Sequence, residues 1–200
     1  MAAAELERRS PSWASKDHNI IFLCLTFDDG PHGLYTEPIL KILEQEKAHA
    51  LFFLNGSQVQ RYPELAKIII EKGHGIGNHF FDHYSVADLN YSQLKKQIED
   101  SERVIQDTTG WFPSLIRPPY GKMNIGLLWY ALTRQRKIML WSLDAQDGDR
   151  RSSSAAAIKS HLKNVQSGDI VLMHQDNPHT VEVLQELIQY IRSKNLDLST

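Results

Sequence analysis

Short apolar runs alternate with longer amphipathic stretches along this chain, and each apolar run ends in a polar cluster. Ile20 to Leu25 reads as a buried strand and runs into Thr26-Phe27-Asp28-Asp29-Gly30-Pro31-His32. A helix is expected from Thr36 or Glu37 to about Lys47, with Pro38 in its first turn. Ala48 to Leu54 is a second apolar run, ending at Asn55-Gly56. Pro63 to Lys72 places Leu65, Ile68 and Ile69 on one side of a helix that Gly73 closes. The short segment Gly75 to Asn78 leads into His79-Phe80-Phe81-Asp82-His83, and Asn90 to Thr108 is an amphipathic helix capped by Gly110. Phe112 to Ile116 is a strand running into Arg117-Pro118-Pro119-Tyr120-Gly121, followed by a helix over Asn124 to Arg134. Lys137 to Leu143 is a strand leading to Asp144, and Ser152 to Val165 is helical. Ile170 to Met173 delivers His174, Thr180 to Arg192 is the last helix, and Leu196 to Ser199 reads as a closing strand.

Repeated strand–helix alternation without a linker predicts a parallel sheet with crossover helices, open or closed into a barrel. In such folds ligands bind beyond the C-terminal ends of the strands. That rule brings Asp28-Asp29, His79 with His83, Arg117, Asp144 and His174 to one mouth.

Composition narrows the picture. Two hundred residues suit one domain, read as 20–200 behind a polar lead-in over 1–19. A formal charge of -2 argues against nucleic acid as partner. The one cysteine, Cys24, lies in an apolar run and offers no internal disulfide. Met1 to Ser10 lacks an apolar signal region, and no run is long enough for a membrane helix. The compartment stays open, because a leader removed beforehand would leave no trace. Oligomeric state is equally unread.

Neighbouring strand residues face opposite ways, so Asp28 and Asp29 share one focus only if the backbone leaves the strand there, as Gly30-Pro31 suggests. Two adjacent carboxylates repel, and a cation relieves that. His79 and His83 stand at i, i+4 spacing, on one side of a helical turn. Together with Asp29 they make an oxygen–nitrogen–nitrogen set for one divalent metal, zinc first, with cobalt, iron or manganese able to use the same donors. His32 sits at the edge of the first cluster, and His18, His49, His74, His161 and His179 read as surface or structural residues.

Thr26 to His32, His79 to His83, Arg117 to Gly121, Asp144 to Asp147 and Leu172 to His174 resemble, in order, the five motifs of the polysaccharide deacetylase family, carbohydrate esterase family four. The resemblance spans about residues 20 to 199. It implies an irregular (β/α) barrel of six to seven parallel strands with outer helices. It also implies a metal-dependent hydrolase that removes N-acetyl groups from chitin, chito-oligosaccharide or peptidoglycan. By the same resemblance Asp28 is the base, His174 the acid, and Asp29, His79 and His83 the metal ligands. Arg117 pairs with Asp28, Asp144 orients His174, the Tyr120 N–H receives the oxyanion, and Trp141 and Leu172 wall an acetyl pocket. Asp147 also matches the fourth motif but reads equally as a loop-solvating residue. Two positions depart from the family: Phe80 replaces a serine or threonine expected to brace the metal loop, and Gly148 replaces an aromatic. The first is expected to weaken metal binding, the second to open the groove. The competing readings are a carbohydrate-binding pseudoenzyme and a hydrolase of small cyclic amides.

Overall fold

A computed structural model describes residues 23–149, 151–196 and 198. The lead-in over 1–19, and Ile20 to Phe22 of the expected first strand, lie outside them. The strands are β1 (Cys24–Gly30), β2 (Leu51–Leu54), β3 (Gly75–Asn78), β4 (Leu115–Ile116), β5 (Lys137–Ile138), β6 (Leu143–Asp144) and β7 (Ile170–His174). All seven are parallel, in the order β5-β4-β3-β2-β1-β7-β6. The helices are α1 (Thr36–Gln45), α2 (Gly56–Arg61), α3 (Pro63–Glu71), α4 (Tyr91–Thr109), α5 (Ile125–Thr133), α6 (Ala155–Leu162) and α7 (Pro178–Ser193). The expected irregular barrel is therefore present.

Two expectations need correction. The single strand expected over Lys137 to Leu143 is two short ones on opposite edges of the sheet. The link between them closes the curl: Met139 N–H donates to Ile116 of β4, and Ser142 N–H to Ile170 of β7. The closing strand expected at Leu196 to Ser199 does not form at Leu196 or Leu198, and the other two positions lie outside the described residues. The helix α2 was not expected, because its six residues are too short to show a period.

Alternation on the strands separates two interiors. Leu25 and Phe27 of β1, Phe52 and Leu54 of β2, and Val171 and Met173 of β7 belong to the main core beneath the helices. Thr26, Asp28 and Phe53 alternate with them and face the inside of the curl. There Phe53 stands in register with Gly77, whose hydrogen lies where a Cβ would meet the Phe53 ring at 2.4 Å. Any side chain at 77 would push the ring off its seat. A second core joins Phe80, Val86, Leu94, Ile98, Ile116, Leu127 and Tyr130 under α4 and α5. The start of α4 is fixed by a capping box, with Asn90 and Gln93 each taking the other's backbone N–H at 3.0 and 2.9 Å.

Phe27 and Phe52 stack with ring centroids 5.1 Å apart, and both are fully buried. Phe52→Ala is expected to cost about 3–5 kcal/mol of stability, the range for truncating a buried aromatic. Denaturant unfolding checks this, and a loss under about 1 kcal/mol would show that the core between β1 and β2 collapses around the gap.

Candidate active site

The chain leaves regular strand geometry at Asp29, one residue earlier than Gly30-Pro31 suggests. Asp29 is left-handed, with φ +67°, and the β1–β2 register shifts between Phe27 and Gly30. Aspartate tolerates that region better than most residues. The consequence is that both carboxylates reach one atom: Asp28 Oδ2 lies 3.7 Å, and Asp29 Oδ1 3.5 Å, from His79 Nε2.

His79 and His83 do not sit on a helical turn. The loop after β3 brings them together through left-handed residues, Phe80 at φ +65° and His83 at +60°, leaving the rings 5.0 Å apart. Its peptide units are braced almost one by one. Asn55 donates to the His79 carbonyl at 2.7 Å, and Asn78 Oδ1 accepts from Phe80 N–H at 2.8 Å. Ser57 donates through both N–H and hydroxyl to the Phe81 carbonyl. Gln97 of α4 accepts from the N–H groups of Phe81 and Asp82. Phe80 itself is fully buried in the second core. Where the family's hydroxyl is missing, an apolar anchor and two asparagines hold the loop.

The His79 tautomer is set by its surroundings. Nδ1 lies 2.7 Å from the Arg117 carbonyl, which only accepts, so Nδ1 carries the proton and Nε2 presents a lone pair to the site. Burial, opposed by Asp29, holds its pKa down at about 3, so the ring is neutral at pH 7. Asp29 Oδ1 is buried without a hydrogen bond, although His83 Nε2 is 3.2 Å away. One ligand atom each from Asp29, His79 and His83 lies within 4.8 Å of the others. A buried carboxylate oxygen left without a donor, facing two imidazoles, is what a divalent cation would complete, and these residues fit one.

Arg117 is wholly buried and reaches across the inside of the curl. Its Nη1 donates to Asp28 Oδ1 and Thr26 Oγ1, both at 2.8 Å. Nε and Nη2 donate to the Met139 and Leu140 carbonyls of the closing link, each at 3.1 Å. The guanidinium lies 4.0 Å from the Phe53 ring centroid and 5.7 Å from Trp141. Burial raises the Asp28 pKa, and Arg117 opposes the rise. Trp141 also touches Gly121, and Leu172 is buried in register between Thr26 and Asp144. Tyr120 is exposed, its backbone left-handed at φ +59°, its ring edge-on to His83 at 4.7 Å.

His174 stands in register with Asp28 on the neighbouring strand. The expected partner, Asp144, does not reach it: its carboxylate takes the Gln146 N–H at 2.7 Å. Asp147 does the work instead, because the chain turns back after β6. Its Oδ1 is 2.7 Å from His174 Nδ1, and its Oδ2 accepts from His174 N–H at 2.8 Å and Thr180 Oγ1 at 2.5 Å. Asn177 ties the Asp147 carbonyl to Ser153. Burial would lower the His174 pKa, but the Asp147 hydrogen bond and charge, with Asp28 and Asp29, raise it to about 9. Gly148 lies against the ring, where a Cβ would be 3.1 Å from His174 Cε1 and 3.3 Å from Nε2. Its lack of a side chain leaves that edge of the imidazole open. Thr26, Asn55 and Thr180 were missed as site residues, although Thr26 opens the first motif and Asn55 stands at a strand's end.

His79→Ala is expected to abolish uptake of one divalent metal per chain, read by elemental analysis of the folded protein. Unchanged stoichiometry would remove the triad. Phe80→Ser is expected to destabilise the fold by about 3 kcal/mol, from lost burial, and not to tighten metal binding. A stable variant with higher metal affinity would restore the role of a hydroxyl at 80.

The comparisons with known proteins agree with this geometry. The family model described as Polysaccharide deacetylase matches residues 15–134. A peptidoglycan-N-acetylglucosamine deacetylase of Bacillus cereus is 34% identical over 88% of this chain and 84% of its own length. The peptidoglycan-N-acetylmuramic acid deacetylase PdaC of Bacillus subtilis is 31% identical over 95% of this chain, which spans only 40% of that longer protein. A family 4 carbohydrate esterase from Streptomyces lividans, solved with acetate, superposes with a TM-score of 0.82 and 28% identity, covering 88% of this chain and 90% of that one. With five polar clusters at one mouth of a seven-stranded parallel curl and a family match over more than half its length, this chain belongs to the polysaccharide deacetylase family.

Proposed function

We propose that this chain hydrolyses N-acetyl groups on N-acetylglucosamine-containing glycans of the peptidoglycan type. The observation that carries the reading is the placement of Asp28 and His174 side by side in register, next to Asp29, His79 and His83. A binding module has no use for a carboxylate and an imidazole held on opposite protonation errands. The names of the relatives support the glycan class, and the donor set supports zinc.

A divalent metal held by Asp29, His79 and His83 would polarise water and the acetyl carbonyl when bound. The protein's own residues do the rest. Asp28 takes a proton from the attacking water, its burial-raised pKa making it a better base and Arg117 keeping it ionised and oriented. The Tyr120 N–H is assigned to the carbonyl oxygen as it gains charge. His174, protonated at neutral pH through Asp147, gives a proton from Nε2 to the departing amine. Trp141 and Leu172 bound the space for a small acyl group.

The sign of the pH dependence follows from His174. Its folded pKa, about 9, lies above the ordinary 6.5. The Asp147–His174 pair therefore stabilises the fold fully below about 6.5, and that stabilisation is lost as pH rises through about 9. Turnover is expected to fall through the same upper range. In Asp147→Asn the alkaline limb of acetate release from N-acetylated oligosaccharides should move down toward the ordinary histidine value, with metal content unchanged. An unmoved limb would take His174 out of the acid role. A metal-loaded wild type that binds glycan and releases no acetate would establish a pseudoenzyme.

A further inference from the structure

Helix α5 is apolar on both faces. Leu127 and Tyr130 are buried in the second core, while Ile125, Leu128, Trp129 and Leu132 are 85, 51, 58 and 74% exposed. Those four occupy i, i+3, i+4 and i+7, a single stripe along the solvent side. Met123 and Tyr91, both partly exposed, extend the stripe at its start, where Tyr91 lies beside Gly126. No charged residue lies on the helix, and its Thr133 hydroxyl is spent on the Trp129 and Tyr130 carbonyls.

Charge singles out the surroundings. The chain carries a formal -2, yet residues 122–137 hold Lys122, Arg134, Arg136 and Lys137 with no carboxylate. Arg134 and Arg136 pair with Glu99 and Glu102 of α4. Lys122 before the helix and Lys137 after it are exposed and make no ion pair among the described residues. An exposed apolar stripe flanked in sequence by unpaired cations combines the two contributions that set binding at a lipid–water interface, buried apolar area and attraction to anionic headgroups.

We infer that the α5 stripe docks on the surface of an anionic phospholipid bilayer, with Lys122 and Lys137 facing headgroups. No helix among the described residues is long and apolar enough to cross a bilayer, so the mode is lying on it. A second copy of the chain is the poorer occupant. A nine-residue helix is about 14 Å long and about 10 Å wide, well short of the ~800 Å² per partner that a stable dimer buries. A glycan is poorer too, since three of the four side chains are aliphatic and Trp129 alone brings a ring and an N–H to the stripe. Docking would hold the mouth near the surface, because α5 begins five residues after Tyr120, whose ring meets His83. The inference stands apart from the deacetylase reading.

Vesicle flotation of the full chain tests it, with phosphatidylglycerol vesicles against phosphatidylcholine vesicles. The wild type should float with phosphatidylglycerol, less so in high salt. Ile125→Ser with Leu132→Ser should lower binding about tenfold or more. Lys122→Glu with Lys137→Glu should remove the preference for phosphatidylglycerol. All four positions are exposed, so melting temperature and acetate release from soluble oligosaccharide should not change. A wild type that stays unbound, or variants that float equally well, would overturn the inference. So would a dimer in sedimentation equilibrium, or retention on insoluble peptidoglycan, that the Ile125/Leu132 changes abolish while vesicles bind nothing.

Discussion

The buried pair of Arg117 and Asp28 is the constraint on which the rest of the architecture depends. A guanidinium with no exposure is expensive to place, and removing either partner of such a pair costs about 3–5 kcal/mol. The protein meets that cost by surrounding the group completely. Thr26 supplies a hydroxyl, the Met139 and Leu140 carbonyls take two more donors, and Phe53 lies under the plane. Gly77 keeps Phe53 in place, so a glycine on β3 reaches the Asp28 carboxylate through a ring and a cation. The same contacts join β4, β1 and the link across the gap. One residue therefore orients the Asp28 carboxylate and fastens the curl.

The metal cradle shows how strain is used. Asp29, Phe80, His83 and Tyr120 all have positive φ without being glycine. Each such residue costs about 1 kcal/mol or more, and their grouping at one mouth matches the tendency of strained backbone to collect where side chains must be aimed. Bonds from Asn55, Asn78, Ser57 and Gln97, with the burial of Phe80, offset that cost. Rigidity here is built from side chains bonded to the loop's backbone, so Asp29, His79 and His83 are held in place by the protein itself.

The sequence disclosed most of the fold, because short bounded apolar runs and amphipathic helices carry their own signal. It also placed Asp28, Asp29, His79, His83, Arg117 and His174 at one mouth. Details set by local backbone were harder to see. The i, i+4 spacing of His79 and His83 suggested a helix, yet φ values no pattern announces put the rings together. Asp144 and Asp147 could not be ranked from spacing, because the choice depends on how the loop after β6 folds back onto Thr180 of α7. Phe80 looked like a loss only while its burial was unknown. The division of Lys137 to Asp144 between opposite edges also escaped notice, since its apolar run reads as continuous.

That division has a consequence for solubility. An open parallel sheet ordinarily leaves two unpaired strands whose free N–H and C=O groups can recruit another chain. Here both outer strands come from one short stretch, each is two residues long, and the backbone passes directly from one to the other. A neighbouring molecule would find almost no ladder to extend. The molecule thus guards against edge-to-edge aggregation by the shortness of its rim, with Lys137 on one outer strand and Asp144 on the other adding charge.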